Sequence, residues 1–165
     1  MARRAAGPRA TRPHMPGYGL PRGTRGLLPW KWAEQRLARS HNYWITTTRP
    51  DGRPHTMLVW GVWVDGCFYF STGAQSRKAR NLAANPHCVI CTERAAEAVI
   101  VEGTASTTAD AGLLANVSPV YAKKYKPWKL DPSMGPIFLV RPGVVFGLRE
   151  KTFKAATRWV FAARG

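Results

Sequence analysis

The dipeptide Asp65-Gly66 limits the fold more than any other feature of the chain. A two-residue type I′ hairpin turn needs positive φ at both central positions, and Asp-Gly supplies it. The pair therefore ties residues 57–64, a nearly unbroken apolar run, to residues 67–72 as neighbouring antiparallel strands. Pro50-Asp51-Gly52 turns the chain upstream, and residues 43–48 before it are β-branched and aromatic. Three strands joined by two tight turns predict a meander.

The flanking segments add short strands and a few helices. Residues 30–40 carry Trp30, Ala33 and Leu37 at helical spacing, with Pro29 suited to a helix start. A short helix over 76–85 is closed by Pro86 and predicts Ala79, Leu82 and Ala83 as its buried stripe. Residues 87–92 and 98–105 read as strands with a turn near Ala95-Ala96. Residues 110–125 read as a helix carrying Leu113, Leu114, Val117, Val120 and Tyr121, kinked or divided at Pro119. After a loop, 137–148 is one strand interrupted at Pro142-Gly143, where a bulge or corner fits, and 157–161 is the last. Six or seven short antiparallel strands with two or three helices predict a mainly β fold with α insertions, a small barrel whose closure disposes of sheet edges. A strand as apolar as 57–64 is then expected to be covered on both sides, by the interior and by a helix or a second subunit.

Composition narrows the class. The chain has 165 residues, 45% of them hydrophobic, which suits one domain and excludes a disordered chain. No run approaches the roughly 20 apolar residues of a membrane span. Three cysteines do not make a secreted disulfide framework, so a cytoplasmic, reducing location is expected. The net charge is +16, and residues 1–26 hold six arginines (Arg3, Arg4, Arg9, Arg12, Arg22, Arg25) and no acid. This head lacks the apolar stretch of a signal peptide and reads as a basic, mobile or surface-draped arm before a domain at 27–165. The basic balance favours an anionic partner: nucleic acid, a membrane surface or a phosphorylated small molecule. Nucleic acid gains little further support, because no helix-turn-helix or aromatic ribonucleoprotein strand signature is present. Cys88 and Cys91 match C-x-x-C, but on a strand they would point to opposite faces, so no metal site is expected. Hydrolase signatures are absent, and the seven tryptophans read mainly as core or interface fill.

The chemistry concentrates in residues 71–82. Ser71 and Thr72 end a strand, a Gly-containing loop follows, and Ser76 is placed to cap a helix. Arg77 and Lys78 then occupy the first turn, where cations oppose the helix dipole at roughly 0.3–1 kcal/mol each. Two readings fit this turn. It binds an anion, with a cofactor phosphate the natural candidate, or it is a solvated basic turn.

Taken in order, several segments resemble the split β-barrel flavin and deazaflavin oxidoreductases, the pyridoxamine 5'-phosphate oxidase-like group. They are Tyr43-Trp44-Ile45-Thr46-Thr47, Asp51-Gly52-Arg53-Pro54-His55, Val59-Trp60-Gly61-Val62-Trp63, Phe70-Ser71-Thr72, Ser76-Arg77-Lys78-Ala79-Arg80-Asn81-Leu82 with Asn85-Pro86, Val101-Glu102-Gly103-Thr104-Ala105 and Ala156-Thr157-Arg158-Trp159. The match spans about 27–162 and looks most like the branch using the deazaflavin coenzyme F-420. The resemblance implies a homodimeric reductase that passes hydride between bound F-420 and an unsaturated or conjugated small molecule. It assigns Ser76, Arg77 and Lys78 to the cofactor phosphate. It lays His55, Thr56, Met57, Leu58 and Val59 along the tricyclic ring through their backbone, and gives the ring or ribityl chain to Ser71 and Thr72. Asn81 is a further candidate. The resemblance names no catalytic acid, leaving protonation to a bound water or a pocket hydroxyl. The first-strand basic residues of the pyridoxamine-phosphate oxidases themselves are not recognisable, which argues against that activity, and Val160 stands where related sequences often have arginine. The alternatives are an FMN-binding flavoprotein of the same fold, or a non-enzymatic haem, tetrapyrrole or nucleic-acid binder.

Overall fold

The computed structural model describes residues 7–162; Arg3 and Arg4 of the basic head lie outside them. In chain order the elements are β1 (Arg9–Thr11), α1 (Trp30–Arg39), β2 (Tyr43–Thr48), β3 (Pro54–Val59), β4 (Gly61–Val64), β5 (Cys67–Ser71), α2 (Arg77–Ala84), β6 (His87–Thr92), β7 (Glu97–Thr108), α3 (Ala111–Lys124), β8 (Ile137–Arg149) and β9 (Thr157–Val160). Short 3-10 turns occupy Pro132–Met134 and Glu150–Ala155. Both sequence-predicted turns are present: Asp65 and Gly66 have φ of 50° and 75°, and Gly52 has φ of 83°.

Every strand pairing is antiparallel. β2 lies between β6 and β3, with Tyr43 opposite Thr92 on one side and Val59 on the other. β4 continues β3 past Trp60 but pairs with β5 instead, and β5 pairs with residues 137–140 of β8. β7 runs the length of β8 and returns to β6. The circuit β2, β3/β4, β5, β8, β7, β6 is a closed, mainly β split barrel. β9 and then β1 extend it along the second half of β8.

The wall changes partner at two places. One is Trp60, between β3 and β4. The other is Gly143, which is left unpaired because Glu102 faces Val144 while Gly103 faces Pro142. Before this bulge β8 pairs with β5; after it, with β9. The interruption expected at Pro142-Gly143 is thus a bulge within one strand.

Among the described residues nine strands form rather than six or seven, because the 57–64 run divides at Trp60 and a strand forms at residues 9–11. β1 sits on β9, with Arg9 opposite Val160, and Arg12 donates to Lys154 O at 2.6 Å. Three further differences are local. α3 runs unbroken through Pro119. In α2 the buried stripe is Ala79, Asn81 and Leu82, while Ala83 is exposed, because the face toward β2 takes the side chain one position after Arg80. The last strand ends at Val160.

Two apolar clusters hold the fold. The larger fills the barrel with residues such as Ile45, Phe68, Ile90, Val101 and Trp159, and buries Ala33 and Leu37 of α1 against it. The smaller lies outside the wall, where Val117 and Tyr121 of α3 cover Val62, Tyr69, Ile137 and Leu139. Cys88 belongs to the larger cluster while Cys91, three residues on, is only half-buried, in line with the alternation of β6.

Candidate functional site

β3 is poorly covered for an apolar strand. Thr56, Met57 and Leu58 are consecutive and all exposed, so neither face of this stretch is packed, and only Val59 turns into the core. At its end an open cavity of about 320 Å³ is lined by Leu58, Val59, Trp60, Ser71, Thr72, Lys78 and Tyr121. Four elements meet there because β3 and β5 flank the strand break, α2 starts just after β5, and α3 packs over β4.

Beside the cavity, the first turn of α2 is built as the sequence predicts. Ser76 has extended backbone, its Oγ accepts from Ala79 N–H at 3.3 Å, and Thr72 Oγ1 donates to the same oxygen at 3.3 Å. The first turn has no acid. Arg77 and Lys78 follow, and with Arg49 they act electrostatically on His55. Burial first, and then Arg49, Lys78 and Arg77, hold the His55 imidazole below its ordinary range. Burial likewise lowers the Lys78 ammonium. Among the described residues none of Arg49, Arg77 and Lys78 is in an ion pair. His55 Nδ1 and Arg49 Nε are buried without a hydrogen-bond partner.

Three cations converging on His55 beside the N-terminus of α2 fit an anion there. A phosphate there would meet the free cations of Arg77 and Lys78.

The sequence-assigned residues divide accordingly. Leu58, Val59, Ser71, Thr72 and Lys78 line one cavity, and His55, Arg77 and Lys78 share the basic cluster that Ser76 caps. Ser71 Oγ already donates to Pro136 O at 3.1 Å, and the Thr56 and Thr46 hydroxyls bond each other at 2.8 Å. Met57 is exposed and lies outside the cavity lining. Asn81 points inward: it is 1% exposed, and its Nδ2 donates to Thr47 Oγ1 at 3.0 Å, fixing α2 to β2. Sequence reasoning missed Arg49 and did not give Tyr121 a place in the cavity. Arg49 flanks the Pro50-Asp51-Gly52 turn, and the hairpin carrying it to His55 was the available signal. Tyr121 stands in the sequence only as one apolar position of the 110–125 helix; its ring is buried, yet it also forms cavity wall.

The strand break is held from behind. The Trp60 ring stacks on Tyr125 with centroids 5.0 Å apart and 10° between planes. The Tyr125 hydroxyl accepts from Gly61 N–H at 3.0 Å and lies 2.6 Å from His41 O. Lys124 Nζ donates to Tyr43 OH at 2.7 Å, Gly61 O at 3.2 Å and Ala38 O at 3.3 Å. Burial lowers the Lys124 ammonium to about 8 and raises the Tyr125 phenol to about 12. A second cavity, of about 200 Å³ between α1 and the β6–β7 turn, is lined by two carboxylates that already have partners. Glu93 accepts from His41 N and Asn42 N, and Glu97 pairs with Arg36 and Arg149.

Comparison with known proteins bears on the fold and the family. No curated protein sequence matches the chain. The family model described as pyridoxamine 5'-phosphate oxidase matches residues 31–142. Among solved structures, an F-420 reductase is 24% identical, covering 68% of this chain and 94% of its own, with a TM-score of 0.55. An FAD-binding protein from Mesorhizobium loti is 15% identical, covering 81% and 96%, with a TM-score of 0.60. A pyridoxamine 5'-phosphate oxidase-related, FMN-binding protein from Nostoc punctiforme is 17% identical, covering 86% and 94%, with a TM-score of 0.55. At these identities the likeness is one of fold.

Proposed function

Because the chain belongs to the pyridoxamine 5'-phosphate oxidase family, we propose that it is an oxidoreductase that binds the phosphorylated deazaflavin coenzyme F-420. Hydride passes between this cofactor and an unsaturated or conjugated small molecule. The observation that carries the reading is the unpaired basic cluster of Arg49, His55, Arg77 and Lys78 beside the open end of β3. A bound deazaflavin supplies the hydride chemistry; the protein's own groups bind it, orient it and keep water from one of its faces. Lys78, Arg77, Ser76 and His55 hold the phosphate. The backbone of β3 from His55 to Val59 has a free edge for a ring system, since β2 takes only its other side. Thr72 and Ser71 border the cavity between the two. The charge of +16 also suits a cofactor with an anionic tail.

A second copy of the chain completes the site in this reading. The outward residues Leu58, Trp44, Cys91, Ile100 and Phe146 fall in register across five strands and are half-buried or exposed. Such an apolar row suits a homodimer face. The assembly works in the cytoplasm, with residues 27–165 as the cofactor-binding domain and 1–26 as a basic arm whose residues 9–11 are seated on β9.

FMN is the second reading, favoured by the family and by the likeness to an FMN-binding protein. Side-by-side titration with F-420 and FMN, followed by tryptophan fluorescence, separates the two, because Trp60 lines the cavity. Tight F-420 binding with weak FMN binding is expected. Preference for FMN moves the protein to the flavoproteins. Failure of both sinks the cofactor reading and leaves a haem, tetrapyrrole or nucleic-acid binder.

A further inference from the structure

The chain has 17 arginines and only eight lysines, yet four of those lysines fall within residues 123–129, which contain no arginine. Tyr125 and Leu130 are buried, at 3% and 6% exposure, while the four residues between them, Lys126, Pro127, Trp128 and Lys129, are all exposed. Trp128 N–H bonds Tyr125 O at 2.9 Å, so the segment is a closed turn clamped at both ends. Trp128 is 58% exposed and Met134, a few residues on, is 77% exposed, the largest value among the large hydrophobics described. Lys123, Lys126 and Lys129 make no ion pair among the described residues. The nearby Asp131 carboxylate instead accepts from Ser133 N–H at 2.8 Å.

We propose that residues 123–134 dock the protein on an anionic lipid surface. Three solvated lysines flank an amphipathic indole and a flexible thioether, the combination that suits a headgroup layer above acyl chains. Lysine offers a point charge without arginine's planar fork, so the turn is matched to a diffuse negative surface better than to phosphates read one by one. Because the turn is already closed, binding orders little chain. The attachment is peripheral: among the described residues no helix is long and apolar enough to cross a membrane. The segment also abuts the cavity, since a Cβ on Gly135 would lie 2.8 Å from Thr72 O. Docking would set the cavity rim against the lipid. The inference stands on the turn alone and does not need the cofactor assignment.

Flotation of the full chain with vesicles tests it, comparing phosphatidylglycerol mixed into phosphatidylcholine with phosphatidylcholine alone. Binding to the anionic vesicles only is expected, with loss of binding as salt rises from about 0.1 to 1 M and the Debye length falls from about 10 to 3 Å. Each lysine near such a surface is worth about fivefold in partition, so K123Q/K126Q/K129Q should weaken binding roughly a hundredfold. W128A should weaken it further, and the triple Lys→Arg variant should restore most of it. Three results would overturn the proposal. One is failure of the chain to float with anionic vesicles at low salt, as when a second copy covers the turn. Another is flotation of the turn variants like the parent, which assigns attachment to the arginine arm. The third is loss of affinity of the turn variants for a single-stranded oligonucleotide while vesicle binding is absent.

Discussion

β3 and β4 are two halves of one apolar run and meet opposite fates. Val62 of β4 is 1% exposed beneath α3, whereas Leu58 of β3 is 45% exposed. Their side chains are equally apolar, so hydrophobicity did not decide which half was covered. The break at Trp60 did: it passes the run from β2 to β5, and α3 reaches only the second part. An apolar strand left open where the neighbouring positions are sealed marks a surface meant for something else. The basic cluster at α2 stands at that open half.

The same substitution on each half should separate them most sharply. Val62→Asp buries an unpaired charge between α3 and the wall and should cost about 3–5 kcal/mol, read by urea denaturation. A cost near that of an exposed site would mean α3 does not seal β4. Next in size, Lys78→Ala should weaken F-420 binding about 10–100-fold, as for loss of a charged hydrogen bond worth about 1.5–3 kcal/mol. The free protein should be no less stable, because one of several repelling cations has gone. Unchanged affinity would remove Lys78 from the phosphate site.

A pH series gives a smaller effect with a definite sign. The His55 imidazole lies below its unfolded value in the folded chain, so over that interval the unfolded state holds more protons. Stability therefore rises with pH there, and is lost as pH falls through about 6.5. His55→Gln should flatten this slope in melting temperatures taken at low ionic strength, and inorganic phosphate should offset it in the parent. A slope that His55→Gln leaves intact would place the titration elsewhere. The smallest effect belongs to Leu58→Asp, which should change the stability of dilute free protein by less than about 1 kcal/mol while impairing dimer formation. A large loss in dilute protein would show that β3 is packed after all.

What could be read from sequence was local. Asp65-Gly66 declares its turn within two residues, Ser76 announces its cap three residues ahead of its partner, and Pro142-Gly143 marks the bulge. What could not be read depends on neighbours far along the chain. Nothing in residues 57–64 shows that α3, some 50 residues later, covers only half of them. Asn81 carries an amide that looks suited to a ligand, and only the docking of α2 on β2 turns it toward Thr47. Arg49 joins the site because a hairpin folds β3 back along β2 toward the start of α2.

The pairing of β1 with β9 bears on the order of assembly. Arg9 and Val160 are among the most widely separated partners in the sheet, and contacts of such span form late because the intervening loop must first close. During synthesis the barrel strands can begin to pair while β1 still waits. The earliest of the described strands is among the last to be seated, and until then the outer edge of β9 has its backbone groups unmet.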